Sequence, residues 1–143
     1  MEGLPVLQLL RGAAARVFDS TDILVAYAHG SYVTGRPRQD SDLDVGFYLR
    51  KHHAGRGLPL GEELRLASEL SDAVGVTVDL RNLGDAPLDV KGRVLEEGVR
   101  IYSSDDVARV ALERDLLGRY HDYKFELSAM HEMRLRTMAD RGL

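Results

Sequence analysis

The sequence predicts an α/β (α+β) domain in which helices flank a four-stranded mixed sheet, followed by a long helical C-terminal segment. Three observations lead there. Apolar residues at helical three-to-four spacing alternate along the chain with short, partly β-branched runs. The stretch joining the first two of those runs, residues 29–42, is too short for a full βαβ crossover, so antiparallel neighbours are expected and a doubly wound sheet is not. Neither an internal repeat nor a linker rich enough to separate distinct domains interrupts the 143 residues, a length that suits one domain with a real core.

Each element has its own warrant. Residues 4–18 place Leu7, Leu10, Ala14 and Val17 on one stripe, an amphipathic helix that the polar Ser20-Thr21-Asp22 ends. Residues 23–28 form an apolar run expected as a buried strand, broken by Gly30-Ser31. Leu43, Val45 and Phe47 alternate with Asp42, Asp44 and Gly46, so 43–49 is a strand with one apolar face. After the Gly-rich loop KHHAGRGLPLG, Leu64, Leu66, Ala67, Leu70 and Ala73 predict a helix over 62–74, stopped by Gly75. VTVDL, residues 76–80, reads as the third strand. Pro87 opens a short helix to Glu97, Gly98 ends it, and 99–102 is a fourth strand. Ser103-Ser104-Asp105 is a helix start, and the pattern continues through Leu112, Leu116, Tyr120, Tyr123, Leu127 and Met130 to about residue 138. Unbroken, that helix is about 50 Å long at 1.5 Å per residue, and Gly118 is the expected bend or break. The domain thus spans 1–143, with a core at about 20–102 and a helical segment at about 104–140.

Composition narrows the function classes. The chain has no cysteine, which excludes a disulfide scaffold, a thiolate metal site and a Cys nucleophile. Nineteen Lys+Arg against 23 Asp+Glu leave a net charge of −4, so nothing global attracts a nucleic-acid polymer. No apolar run approaches the roughly 20 residues of a membrane span, and MEGLPVLQLLRG does not make a signal peptide. A cytoplasmic protein is expected. Lysine stands only at Lys51, Lys91 and Lys124 and asparagine only at Asn82, a bias that a heat-adapted source or a GC-rich genome explains equally.

The chemistry concentrates in AHGSYVTGRPRQDSDLDVGFYL. Asp42 and Asp44, at i and i+2 of a predicted strand, share a face. Two carboxylates side by side repel each other, whereas a hard divalent cation takes such oxygen pairs. Gly30 permits close backbone approach at the end of the preceding strand, and Ser31 adds a hydroxyl, a pairing that suits phosphate oxygens as well as a plain turn. Asp79 stands between the apolar Val78 and Leu80, a costly position unless it is metal-bound or paired, for which Arg81 and Arg100 are the simplest partners. His52-His53 point apart in an extended segment, and His121 and His131 do not stand one helical turn apart, so neither pair is a metal site. Tyr102, Tyr120 and Tyr123 are expected to pack.

Gly30-Ser31, ten residues, Asp42-x-Asp44 and then the apolar-flanked Asp79 together resemble the signature of the DNA polymerase β-like nucleotidyltransferase superfamily. The short chain looks most like its minimal members, among them the MNT-type antitoxins of HEPN–MNT toxin–antitoxin pairs. His29 departs from the usual apolar or aromatic residue before Gly-Ser. The resemblance implies the polymerase β-like fold. It also implies that Asp42, Asp44 and Asp79 bind two Mg²⁺ ions, with Asp79 placed to take the nucleophile's proton. Gly30 and Ser31 would hold the triphosphate of ATP, and Arg36, with Arg38 behind it, would add a phosphate contact. The implied reaction is AMP transfer to a tyrosine of a cognate HEPN toxin. Two other readings use the same motif: an aminoglycoside-type small-molecule nucleotidyltransferase, for which a homodimer could supply a missing wall, and an antitoxin that neutralises by binding alone. The stripe from Leu116 to Met130 either docks a partner or packs on the chain's own sheet.

Overall fold

An apolar strand with a partner on each side must sit inside a sheet, and Ile23–His29 (β1) does so. The computed structural model describes residues 3–35, 41–51 and 57–142. Its elements are α1 (Gly3–Val17), β1, α2 (Ser31–Thr34), β2 (Leu43–Leu49), α3 (Leu60–Val74), β3 (Val78–Asn82), α4 (Leu88–Glu97), β4 (Val99–Ser103) and α5 (Asp106–Asp140). The sheet order is β3-β2-β1-β4. β1 runs antiparallel to both β2 and β4, and β2 runs parallel to β3. This is the mixed sheet that the short β1–β2 connection requires.

The strand alternation divides the interior in two. Ala26, Ala28, Leu43, Val45, Phe47, Val78 and Leu80 face α1 and α3, where Leu10, Phe18, Leu66 and Leu70 close the main core. Val25, Tyr27 and Tyr48 meet Leu83, Val94, Leu112 and Leu116 on the side of α4 and α5. Tyr27 donates its hydroxyl to Glu113 at 2.7 Å, and Arg109 donates to the same carboxylate at 2.6 Å, tying α5 to the sheet.

Three expectations are corrected. β3 starts two residues late, at Val78 opposite Leu43, because Val76 is spent on the α1/α3 core and Thr77 only offers its carbonyl to Leu43 N–H, at 2.8 Å. α5 is continuous through Gly118 over 35 residues. A helical Gly costs only about 1 kcal/mol, and the buried Leu116 and Tyr120 on either side hold the helix through it. Beyond Tyr120, all the described residues of α5 are exposed, so Tyr123, Leu127 and Met130 do not pack on their own sheet. The expected start of α5 holds: the Asp105 carboxylate accepts from Val107 and Ala108 N–H at 3.1 Å each.

Candidate active site

Register places the candidate residues in a row. His29 on β1 pairs with Asp44 on β2, and Asp44 pairs with Asp79 on β3. Paired residues of neighbouring strands share a face, so an imidazole and two carboxylates lie side by side on the α4/α5 face near one end of the sheet. The neighbouring position on β2 is Gly46, where any Cβ would stand 2.5 Å from Leu83 Cδ1. The same strand therefore places Leu43, Val45 and Phe47 in the core and presents Asp44 on the other side.

Gly30 is required where it stands. Its φ is +84°, and a Cβ there would lie 2.5 Å from Asp44 Oδ2, so a side chain would be strained in backbone and would collide with the carboxylate. Gly-Ser is thus the turn that lets a carboxylate stand against bare backbone. Ser31 opens the single turn of α2, with Val33 and Thr34 N–H both donating to Gly30 O at 3.1 Å. That turn is hidden in the sequence because Val and Thr favour strands.

Asp42 sits one residue ahead of β2 and is exposed. It borders a polar recess of about 550 Å³ with Tyr32, Ser41, Asp72 and Thr77. Asp79 accepts at Oδ2 from Arg81 Nε and Nη2, at 3.1 and 3.0 Å, the Arg–Asp pair anticipated from its place mid-strand. Among the described residues, no three His, Cys, Asp or Glu side chains converge to metal-ligand geometry. Asp79 is engaged by Arg81 instead. Arg36 and Arg38 lie outside the described residues, as do His52 and His53.

The electrostatics couple the row. Burial raises the Asp44 pKa above the ordinary carboxylate value; His29 opposes that rise, and Asp79 and Asp42 add to it. Burial lowers the His29 pKa, with Asp44 pulling the other way. Glu63 at the start of α3 is also raised, by burial and by Asp79. His29, Glu63 and Arg81 thus belong to the charge field of the site. Arg81 had a signal in the sequence, its i, i+2 spacing from Asp79; His29 stood out there only as a departure from the usual residue before Gly-Ser, and Glu63 had no signal. The donor chemistry suits a hard cation: Asp44 and Asp79 face each other in register, Asp42 lies within electrostatic reach, and the backbone at Gly30 stays clear.

A profile of the family described as Polymerase beta, Nucleotidyltransferase matches residues 14–107, a span that contains Gly30, Ser31, Asp42, Asp44 and Asp79. The chain belongs to this nucleotidyltransferase family. The match stops near the start of α5, so most of that helix lies outside the matched span. Among curated proteins there is no match.

Solved structures agree with the polymerase β-like fold. A mutant MntA–HepT toxin–antitoxin complex contains a chain similar to this nucleotidyltransferase at 15% identity and a TM-score of 0.61, over 90% of this chain and 98% of that one. A toxin–antitoxin structure with AMP-PNP gives 18% identity and a TM-score of 0.56, over 97% and 99%. A complex of tri-AMPylated Shewanella oneidensis HEPN toxin with MNT antitoxin gives 16% and 0.57, over 93% and 98%. At such identities the likeness is one of fold. Its near-complete coverage shows that this chain spans nearly the whole length of those it matches.

Proposed function

We propose that this nucleotidyltransferase is an MNT-type antitoxin that moves AMP from ATP to a tyrosine hydroxyl of a cognate HEPN toxin in the cytoplasm, and thereby silences it. The observation that carries the reading is the register of Asp44 against Asp79 beside the bare backbone of Gly30. Nothing about folding rewards that arrangement, and phosphoryl chemistry does. Three facts about the structural neighbours support the finer claims. One was solved with AMP-PNP, one holds an AMPylated HEPN toxin, and one carries two Asp-to-Glu substitutions spaced i, i+2, the spacing of Asp42 and Asp44.

Asp42, Asp44 and Asp79 are the residues that would hold Mg²⁺. Two such ions supply a lowered hydroxyl pKa at the acceptor and charge neutralisation at the phosphates. Gly30 and Ser31 bind the triphosphate, with Arg36 as an added contact. Asp79 takes the proton of the attacking hydroxyl. A bond forms between the acceptor oxygen and the α-phosphorus, the bond from that phosphorus to the bridging oxygen of the β-phosphate breaks, and pyrophosphate leaves.

The test is incubation with labelled ATP, Mg²⁺ and the product of the neighbouring toxin gene. AMP mass increments on a toxin tyrosine are the expected result. No label on the toxin, together with full neutralisation by the Asp42→Asn/Asp44→Asn variant at equal dose, would make the protein an antitoxin by contact alone. Labelling of an aminoglycoside instead would identify a small-molecule enzyme.

A further inference from the structure

α4 carries Val90, Arg93, Val94 and Glu97 at i, i+3, i+4 and i+7, one stripe along the helix. Two glycines set where that stripe points. At Gly92 a Cβ would fall 2.1 Å from the Tyr120 ring, so α4 turns that side to α5. At Gly98 a Cβ would fall 3.0 Å from Ala28 O, so the helix ends against β1. The stripe therefore borders the end of β1, and with His29 and Gly30 it lines a recess of about 290 Å³. Val94 is almost fully buried there, Val90 is 37% exposed, and Arg93 and Glu97 are open to solvent. The recess adjoins the carboxylate row. His29 pairs with Asp44 in register, and Asp44 Oδ2 lies close against Gly30.

A transfer reaction at that row needs an acceptor oxygen held beside it. We propose that the recess between α4 and the end of β1 is the acceptor subsite: it takes the aromatic ring of the acceptor tyrosine against Val90 and Val94, with the hydroxyl turned past His29 toward Asp44 and Asp79. The inference rests on the nucleotidyl-transfer reading above. The volume stands at the lower end of the range for ligand pockets, about 300–1,000 Å³, and suits a single side chain. A phenol carries its one polar atom at the tip, so two valines can cover the ring while the hydroxyl meets the polar groups of the row. Adenine carries hydrogen-bonding atoms around its edge, and valine walls would leave several of them unpaired. The recess adds no bond chemistry of its own. It orients the oxygen that attacks the α-phosphorus, and it selects an aromatic acceptor over serine or threonine, whose short side chains would leave the valines uncovered.

The experiment has two arms. In the first, N-acetyl-tyrosinamide is titrated into wild type with Mg²⁺ and a non-hydrolysable ATP analogue present, and the valine methyl resonances are followed by nuclear magnetic resonance. The Val90 and Val94 methyls are expected to shift with the probe, and the analogue is expected not to displace it. In the second, Val90→Phe fills the mouth of the recess, while Val107→Phe adds the same bulk at a residue 84% exposed on α5. Val90→Phe should lower kcat/KM for the toxin about tenfold, the scale of a blocked apolar subsite, with analogue affinity within about twofold of wild type. Val107→Phe should leave both unchanged. Methyls that ignore the tyrosine probe overturn the subsite, and so does a Val90→Phe variant that labels the toxin as fast as wild type. A probe that the analogue displaces, together with weaker analogue binding by Val90→Phe, gives the recess to the donor base and overturns it too. Wild type that transfers no AMP to the toxin removes the nucleotidyl-transfer reading itself and the subsite with it.

Discussion

The two faces of β2 carry opposite chemistry on the same seven residues. Toward α1 and α3, Leu43, Val45 and Phe47 are fully buried in a core of aliphatic and aromatic side chains. Toward the other side, Asp44 stands between His29 and Asp79 in a half-buried row of charge. One face supplies stability and the other works against it, since burial pushes Asp44 toward its neutral form. The rigid face is what permits the costly one: carboxylates that repel each other keep their register only because the strands beneath them are held by packing.

The contrast can be broken from either side. Asp44→Asn should lower AMP transfer by about 10³-fold, several kcal/mol of transition-state stabilisation, measured as labelled product per minute, while the fold stays intact by circular dichroism. Phe47→Ala should do the reverse. Denaturant unfolding should show a loss of about 3–5 kcal/mol, with turnover per folded molecule unchanged. Gly30→Ala joins the two faces, because a Cβ there meets both a left-handed backbone and Asp44 Oδ2. It should cost about 1–3 kcal/mol of stability and abolish transfer as well.

A smaller effect tests the sign of the electrostatics. A carboxyl whose pKa is raised on folding binds protons more tightly in the native state, so its cost to stability grows as pH rises through the carboxylate range. Asp44→Asn should therefore melt higher than wild type at neutral pH, as thermal denaturation would show. That advantage should vanish below the ordinary carboxylate pKa, where Asp44 is protonated in both states. The smallest contrast lies within α5. Leu116→Ala should cost about 2–5 kcal/mol, whereas Leu127→Gln, on the exposed half, should stay within about 0.5 kcal/mol.

Legibility in the sequence followed the physics of each segment. β2 is read to the residue because strict alternation on a strand buried on one face admits a single register. β3 is misplaced by two residues because Val76 looks like a strand residue and packs as a core residue, and only the pairing partner at Leu43 decides where the ladder begins. The motif residues Gly30, Asp44 and Asp79 are legible one by one, but the reason for Gly30 is a collision with a residue 14 positions away, which no local pattern contains. His29 and Glu63 join the charge field through β1–β2 pairing and the placement of α3, and neither contact has a sequence period. Gly118 shows the limit of local propensity: packing of Leu116 and Tyr120 outweighs one glycine.

The most direct test of the site is isothermal titration of a non-hydrolysable ATP analogue, with and without Mg²⁺, into wild type and the Asp42→Asn/Asp44→Asn variant. Mg²⁺-dependent binding in wild type that the variant loses is the predicted result. Equal binding by both proteins, or no binding by wild type even with the cognate toxin present, would contradict a carboxylate-held metal site and leave an antitoxin that acts by contact.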